Sequence, residues 1–168
     1  LRISEALNLE LGDLNLDDAV LTIRGAKLGR WRLVPIHAST RDVLVYYLNR
    51  REAFFDHPIS SYVFVTRCGN RLDMGHVHRT FYALSRRTGL RAEGASKGPR
   101  LHDFRHRFAV QTLTRWYQLG ENAWRLLPLL SAYLGHVYVA GTYWYLSDQP
   151  ELMAEAMDRL ERRWGGSL

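Results

Sequence analysis

His102 and Arg105 stand three residues apart at the head of a helical run, so they project from one face of that helix. The partial positive charge of a helix N-terminus suits an anion such as a phosphate at that position. His102 can hydrogen-bond to such a group or shuttle a proton there. His106, four residues after His102, creates the spacing of a two-histidine zinc site. No neighbouring Cys or carboxylate completes a ligand set, and no metal or other cofactor is expected. His136 follows Leu134-Gly135, a helix-ending pair whose turn can aim an imidazole. Arginine is the cation best matched to a phosphate, because its planar fork stays charged and meets two oxygens. Lys27 and Lys97 are the only lysines, so a step that needs a titratable ammonium has two candidates. Nine tyrosines are available as nucleophiles, although most tyrosines are core or interface groups.

The charge balance points to a polyanionic partner. Lys and Arg total 23 against 17 Asp and Glu, a formal net charge of +6. Clustered cations gain affinity for phosphates by displacing counterions. The 168 residues, 46% of them hydrophobic, are expected to form one domain over 1–168, with a core that needs neither disulfides nor metal. Cys68 is the single cysteine, which suggests a reducing compartment, and the cytoplasm is the expected location. No apolar run approaches the roughly 20 residues needed to span a bilayer, and the first residues lack a signal-peptide layout.

The elements that must position these groups can be read from periodicity. Ile3, Leu7 and Leu11 are helically spaced, and Gly12-Asp13 is expected to stop that helix. Ala19 to Arg24 and Trp31 to Ile36 read as β-strands joined by a hairpin over Gly25 to Arg30, with Lys27 at its tip. Ser39 or Thr40 can cap a helix running to about Phe55. Tyr62 to Val65 is a short strand candidate, and Met74 to Thr88 is helical with Gly89 ending it. Arg91 to Arg100 has no apolar period and reads as an exposed basic loop able to lie along DNA. Helical spacing returns from Leu101 to about Leu119, from Trp124 to Leu134 and from Pro150 to Trp164. The last of these has a mostly apolar face, which packs either on its own core or on a neighbouring protomer.

Four separated pieces share one template: Leu-Arg-Ile-Ser-Glu at the start, Gly-Ala-Lys-Leu-Gly-Arg-Trp-Arg-Leu-Val-Pro, Leu-His-Asp-Phe-Arg-His-Arg-Phe-Ala, and Leu-Gly-His with a Tyr nine residues on. In order and spacing they resemble the catalytic domain of the tyrosine recombinase, or phage integrase, family from Arg2 to Tyr145. That resemblance implies an α+β fold, mostly helical, with a small antiparallel sheet near the N-terminus. It implies that Tyr145 is the nucleophile, that Arg2 and Arg105 clamp the scissile phosphate, and that Lys27 protonates the leaving 5′ oxygen. His102 and His136 complete the catalytic set. Glu5 and His106 support it, with Glu5 orienting the Arg or the hairpin Lys or else serving as a surface carboxylate.

Arg30, Arg32, Lys97 and Arg100 are candidate DNA contacts. Tyr143 is the local rival to Tyr145, but the distance from His136 favours Tyr145, and Tyr138 lies too close to that histidine.

The chemistry the resemblance implies is a transesterification. A 3′-phosphotyrosyl bond forms as a 5′-hydroxyl leaves, and a second 5′-hydroxyl reverses the attack. Bond energy is conserved, so no ATP or divalent metal is required. The partners implied are double-stranded DNA and further copies of the chain, assembled as a tetramer. An N-terminal DNA-clamping domain and the first catalytic-domain helix are expected before Arg2, so the chain is expected to be N-terminally truncated. Ala26 departs from the family's Gly-Lys-Gly hairpin, and Trp116 to Ser131 lengthens the interval between Arg105 and His136. The Leu-Pro-Leu-Leu-Ser-Ala-Tyr-Leu-Gly-His run resembles recombinases of mobile elements such as transposons. Two alternatives are a type IB topoisomerase, which swivels DNA rather than exchanging strands, and a non-catalytic DNA-binding remnant of a mobile element.

Overall fold

The computed structural model describes residues 1–26 and 30–147. The chain divides into two compact units, Leu1–Leu101 and a second that begins at His102. Among the described residues no helix is long and apolar enough to cross a membrane.

The first unit opens with α1 (Ile3–Leu7), which ends at Asn8 rather than running to Leu11. A separate 3-10 turn, Leu11–Asp13, follows. The apolar spacing expected of one longer helix is shared between two short elements, because Leu9 is buried beside Leu7 while Leu11 is exposed.

A three-stranded antiparallel sheet comes next, ordered β1 (Leu14–Asn15), β2 (Val20–Ala26) and β3 (Arg30–Pro35). The two expected strands are present, and β1 is an addition to them. Lys27 lies outside the described residues. Leu21 pairs with Val34 and Ile23 with Arg32, which puts Arg32 and Val34 on the side of β3 that faces the core of this unit. Trp31 and Leu33 point the other way and are 69% and 57% exposed. Among the described residues, the buried apolar side chains of this unit are Leu7, Leu9, Leu21, Ile23, Val34 and Val63.

α2 (Ala38–Phe54) is capped by His37, whose Nδ1 accepts the Ser39 N–H at 3.2 Å; neither Ser39 nor Thr40 is the cap. No residue of α2 is buried. Tyr62 to Val65 does not form a strand; Tyr62 and Val65 make isolated bridges to Glu10 and Arg71. α3 (Met74–Arg87) begins at Asp73, whose carboxylate accepts the His76 N–H, and Gly89 follows with φ 73°.

The second unit contains α4 (Leu101–Gln118), α5 (Ala123–Leu134) and α6 (Ala140–Ser147). Its core joins Ala109 and Leu113 of α4, Leu127, Leu130 and Leu134 of α5, and Tyr145 of α6. Those spacings of three and four keep one stripe of each helix inward. The helix expected over Pro150 to Trp164 lies outside the described residues.

Candidate active site

On α4 the buried row is Arg105, Ala109 and Leu113, each four residues after the last, so a guanidinium occupies a position that periodicity reserves for the core. Arg105 is 6% exposed, and its Nη2 donates to the Leu134 carbonyl at 2.6 Å. That carbonyl is among the last four of α5, which have no partner within the helix. The negative end of the helix dipole thereby anchors the cation.

The same helix end positions His136. Gly135 takes the left-handed conformation, φ 72° and ψ 42°, and its N–H returns to Ala132. The His136 N–H returns to Ser131 at 3.0 Å, the six-residue closure of a Schellman turn. The imidazole that emerges is held by Thr142 of α6, whose Oγ1 lies 2.8 Å from Nδ1.

Tyr145, three residues after Thr142 on α6, is 5% exposed. The His136 ring is nearly parallel to its phenol, at 11° and a 6.2 Å centroid separation. The His106 ring sits 5.2 Å from the same phenol at 46°. The second unit therefore gathers Arg105, His106, His136 and Tyr145. His102 lies one turn before His106 on α4 and is exposed. The side chain of Tyr143 is outside the described set.

The first unit holds a second polar cluster. Glu5 of α1 is buried; its carboxylate accepts the Arg2 backbone N–H at 2.7 Å and Arg2 Nη1 at 2.9 Å. Arg32 of β3 meets the same carboxylate with both terminal nitrogens, at 3.1 and 3.0 Å. Burial alone would raise the Glu5 carboxyl pKa. Hydrogen bonds from Arg32 and the Arg2 N–H, with the charge of Arg32, outweigh it and hold the group at about 2. Arg32, expected among the DNA contacts, is thus engaged by Glu5, with 15% of its side chain exposed.

Lys97 and Arg100 are exposed in the basic loop. Sequence reasoning missed the residue that organises that loop. Arg91 is buried, donates to the carbonyls of Ser96 and Pro99 at 3.2 and 2.7 Å, and lies 4.5 Å over the Tyr82 ring. Its only signal in the sequence is its place at the start of a segment rich in Gly and polar residues. Thr142 was also missed, because a threonine between aromatic residues carries no mark of its own. Among the described residues no group of three or more His, Cys, Asp or Glu is arranged to hold a metal ion.

Residues 1–151 match the family described as the phage integrase family. The integrase/recombinase y4rB of Sinorhizobium fredii is 60% identical over 98% of this chain and 52% of its own length. The tyrosine recombinase XerA of Pyrococcus furiosus is 31% identical over 99% of this chain and 53% of its own. The chain spans about half the length of these curated relatives. In three dimensions it is similar to the site-specific recombinase XerH in a post-cleavage complex with palindromic difH substrate, at a TM-score of 0.68 and 24% identity. That likeness covers 95% of this chain and 42% of the other, and at this identity it speaks for the fold.

Proposed function

The chain belongs to the phage integrase family, and we propose that it cleaves and rejoins DNA at specific sites through a 3′-phosphotyrosyl intermediate on Tyr145. The observation that carries this reading is the grouping of Tyr145 of α6 with Arg105 and His106 of α4 and with His136, on the turn that ends α5, in one unit. A phenol beside two imidazoles, in a unit that also contains a fixed guanidinium, has the parts that phosphoryl transfer needs without a metal.

In this reading Tyr145 passes its phenolic proton to a neighbouring imidazole as its oxygen attacks the phosphorus and forms a P–O bond, and the P–O5′ bond breaks. The nonbridging oxygens are met by Arg105 and Arg2, with His102 and His136 as further donors. Lys27 gives its proton to the departing 5′ oxygen. Double-stranded DNA is the substrate, and several copies of the protein on DNA, a tetramer in the simplest scheme, pair the strands to be exchanged. The activity belongs in the cytoplasm, where the exposed Cys68 stays reduced.

The test uses nicked suicide duplexes tiled across the DNA that flanks the protein's gene, incubated in EDTA and resolved on a denaturing gel. The expected result is a covalent protein–DNA adduct with wild type and none with Tyr145→Phe. An adduct that survives in Tyr145→Phe moves the nucleophile to Tyr143. Tight binding with no adduct in either protein overturns the enzymatic reading in favour of a DNA-binding module.

A further inference from the structure

A charged side chain on the inward face of a strand requires a partner, because burying it alone strips its hydration with nothing in return. Arg32 sits on the core-facing side of β3 with Val34, while the apolar Trp31 and Leu33 of the same strand face outward. The partner is Glu5, and the pairing is bidentate. Glu5 in turn holds Arg2 twice, at the backbone and at the guanidinium. One carboxylate therefore ties the strand that follows the hairpin to the arginine that opens α1. Arg2 alone holds one Glu5 oxygen by its backbone N–H and the other only through its own flexible side chain. With the fork of Arg32 fixing both oxygens, the plane of the carboxylate is set, and with it the approach of Arg2.

We propose that Arg32 is a positioning residue for DNA cleavage: through Glu5 it sets the direction of the Arg2 guanidinium toward the scissile phosphate, and it does not itself bind DNA. This rests on the phosphotyrosyl reading above and extends it to a residue outside the expected catalytic set. The Arg2 side chain is 41% exposed, so a phosphate can reach its guanidinium while Glu5 holds it. A lysine at position 32 would supply charge without the fork and would restore only part of the effect.

The experiment compares wild type, Arg32→Met, Arg32→Lys and Glu5→Gln on the flanking duplex that wild type captures. Single-turnover adduct formation is measured alongside noncovalent affinity in a Tyr145→Phe background. Each protein is also assayed on a duplex whose scissile phosphate is a methylphosphonate, which removes the charge that Arg2 would meet. Arg32→Met is expected to slow adduct formation on the ordinary phosphate by about 10- to 100-fold. Its noncovalent affinity should stay within about twofold of wild type, and Arg32→Lys should recover part of the rate. The loss should shrink on the methylphosphonate.

The proposal is overturned if Arg32→Met cleaves at the wild-type rate, if affinity falls in step with rate, or if the loss is equal on both substrates. Absence of any wild-type adduct defeats the phosphotyrosyl reading and this one with it, whereas a normal wild-type adduct with an unaffected Arg32→Met defeats this one alone. If Arg32→Met does not fold by circular dichroism, the Arg32→Lys and Glu5→Gln pair decides by the same rate comparison. A Glu5 carboxyl resonance whose titration midpoint does not rise in Arg32→Lys also counts against the linkage.

Discussion

His136 is oriented through one ring nitrogen by a hydroxyl of the next helix. Nδ1 lies 2.8 Å from the Thr142 hydroxyl, and that contact fixes the plane of the ring. Thr142 is fully buried, so this hydrogen bond is shielded from competing water. Thr142→Val keeps the shape and deletes the hydroxyl. It is expected to lower stability by about 1 kcal/mol and to slow adduct formation by about tenfold. Thr142→Ser should retain most of the rate. Equal single-turnover rates for Thr142→Val and wild type would show that the imidazole needs no such support. Glu5 allows a second prediction. Its carboxyl titrates at about 2 in the folded chain, below the ordinary value of 4.5. A depressed pKa adds stability that is fully present above about 4.5 and is lost as pH falls toward 2. With solvent screening allowed for, the contribution is about 1–2 kcal/mol. Glu5→Gln should therefore be less stable than wild type at pH 7, and the gap should narrow through that acid window. A gap that stays constant in urea titrations between pH 7 and pH 3 would contradict the assignment.

At the scale of elements, the C-terminus of α5 has the most to hold. It accepts Arg105 at the Leu134 carbonyl and releases His136 through a left-handed Gly135. Gly135→Ala puts a Cβ on a backbone with φ 72°, which costs about 1–2 kcal/mol. Denaturation should register that cost, and cleavage should fall further than the lower stability accounts for, because both site residues hang on the turn. Gly120→Ala, at φ 74° after α4, imposes similar strain away from these residues and should lower stability while sparing the rate. Elements whose periodicity and punctuation agree were legible in the sequence: α3, α4 and α5 fall within about one residue of their expected bounds, and the hairpin pair within about two. Elements set by tertiary chemistry were not. Nothing local shows that α1 stops at Leu7, or that His37 caps α2 in place of the serine and threonine after it. β3 is the sharpest case. Its Trp-Arg-Leu-Val pattern invites Trp31 and Leu33 inward, and the partner that turns Arg32 inward instead lies 27 residues away.

For the whole molecule, the net charge of +6 says little about DNA binding until the cations are sorted by what they already hold. Arg24 pairs with the buried Asp13 and Arg41 with Asp42, while Arg32 and Arg91 are committed to internal acceptors. Such groups have few counterions to release and should contribute little to the salt dependence of binding. Lys97 and Arg100 are exposed on the loop that wraps Arg91, and both are candidates for binding phosphates. The exposed Lys97 and Arg100 and the buried Arg91 should therefore respond differently to substitution. Removing Lys97 and Arg100 together, both to Ala, should weaken binding to any duplex and reduce the slope of log K against log salt by about 2, since each phosphate no longer neutralised takes away about 0.9. Arg91→Ala should leave that slope nearly unchanged. Its effect should appear as a lower melting temperature and a weaker affinity at every salt concentration, because the loop loses the guanidinium that ties it to Ser96 and Pro99. Fluorescence anisotropy with a Tyr145→Phe background protein, titrated between about 50 and 200 mM salt, separates the two responses. A drop in slope for Arg91→Ala as large as for the double variant would mean that the loop is ordered on DNA by Arg91 itself, and the division between structural and DNA-facing cations would have to be redrawn.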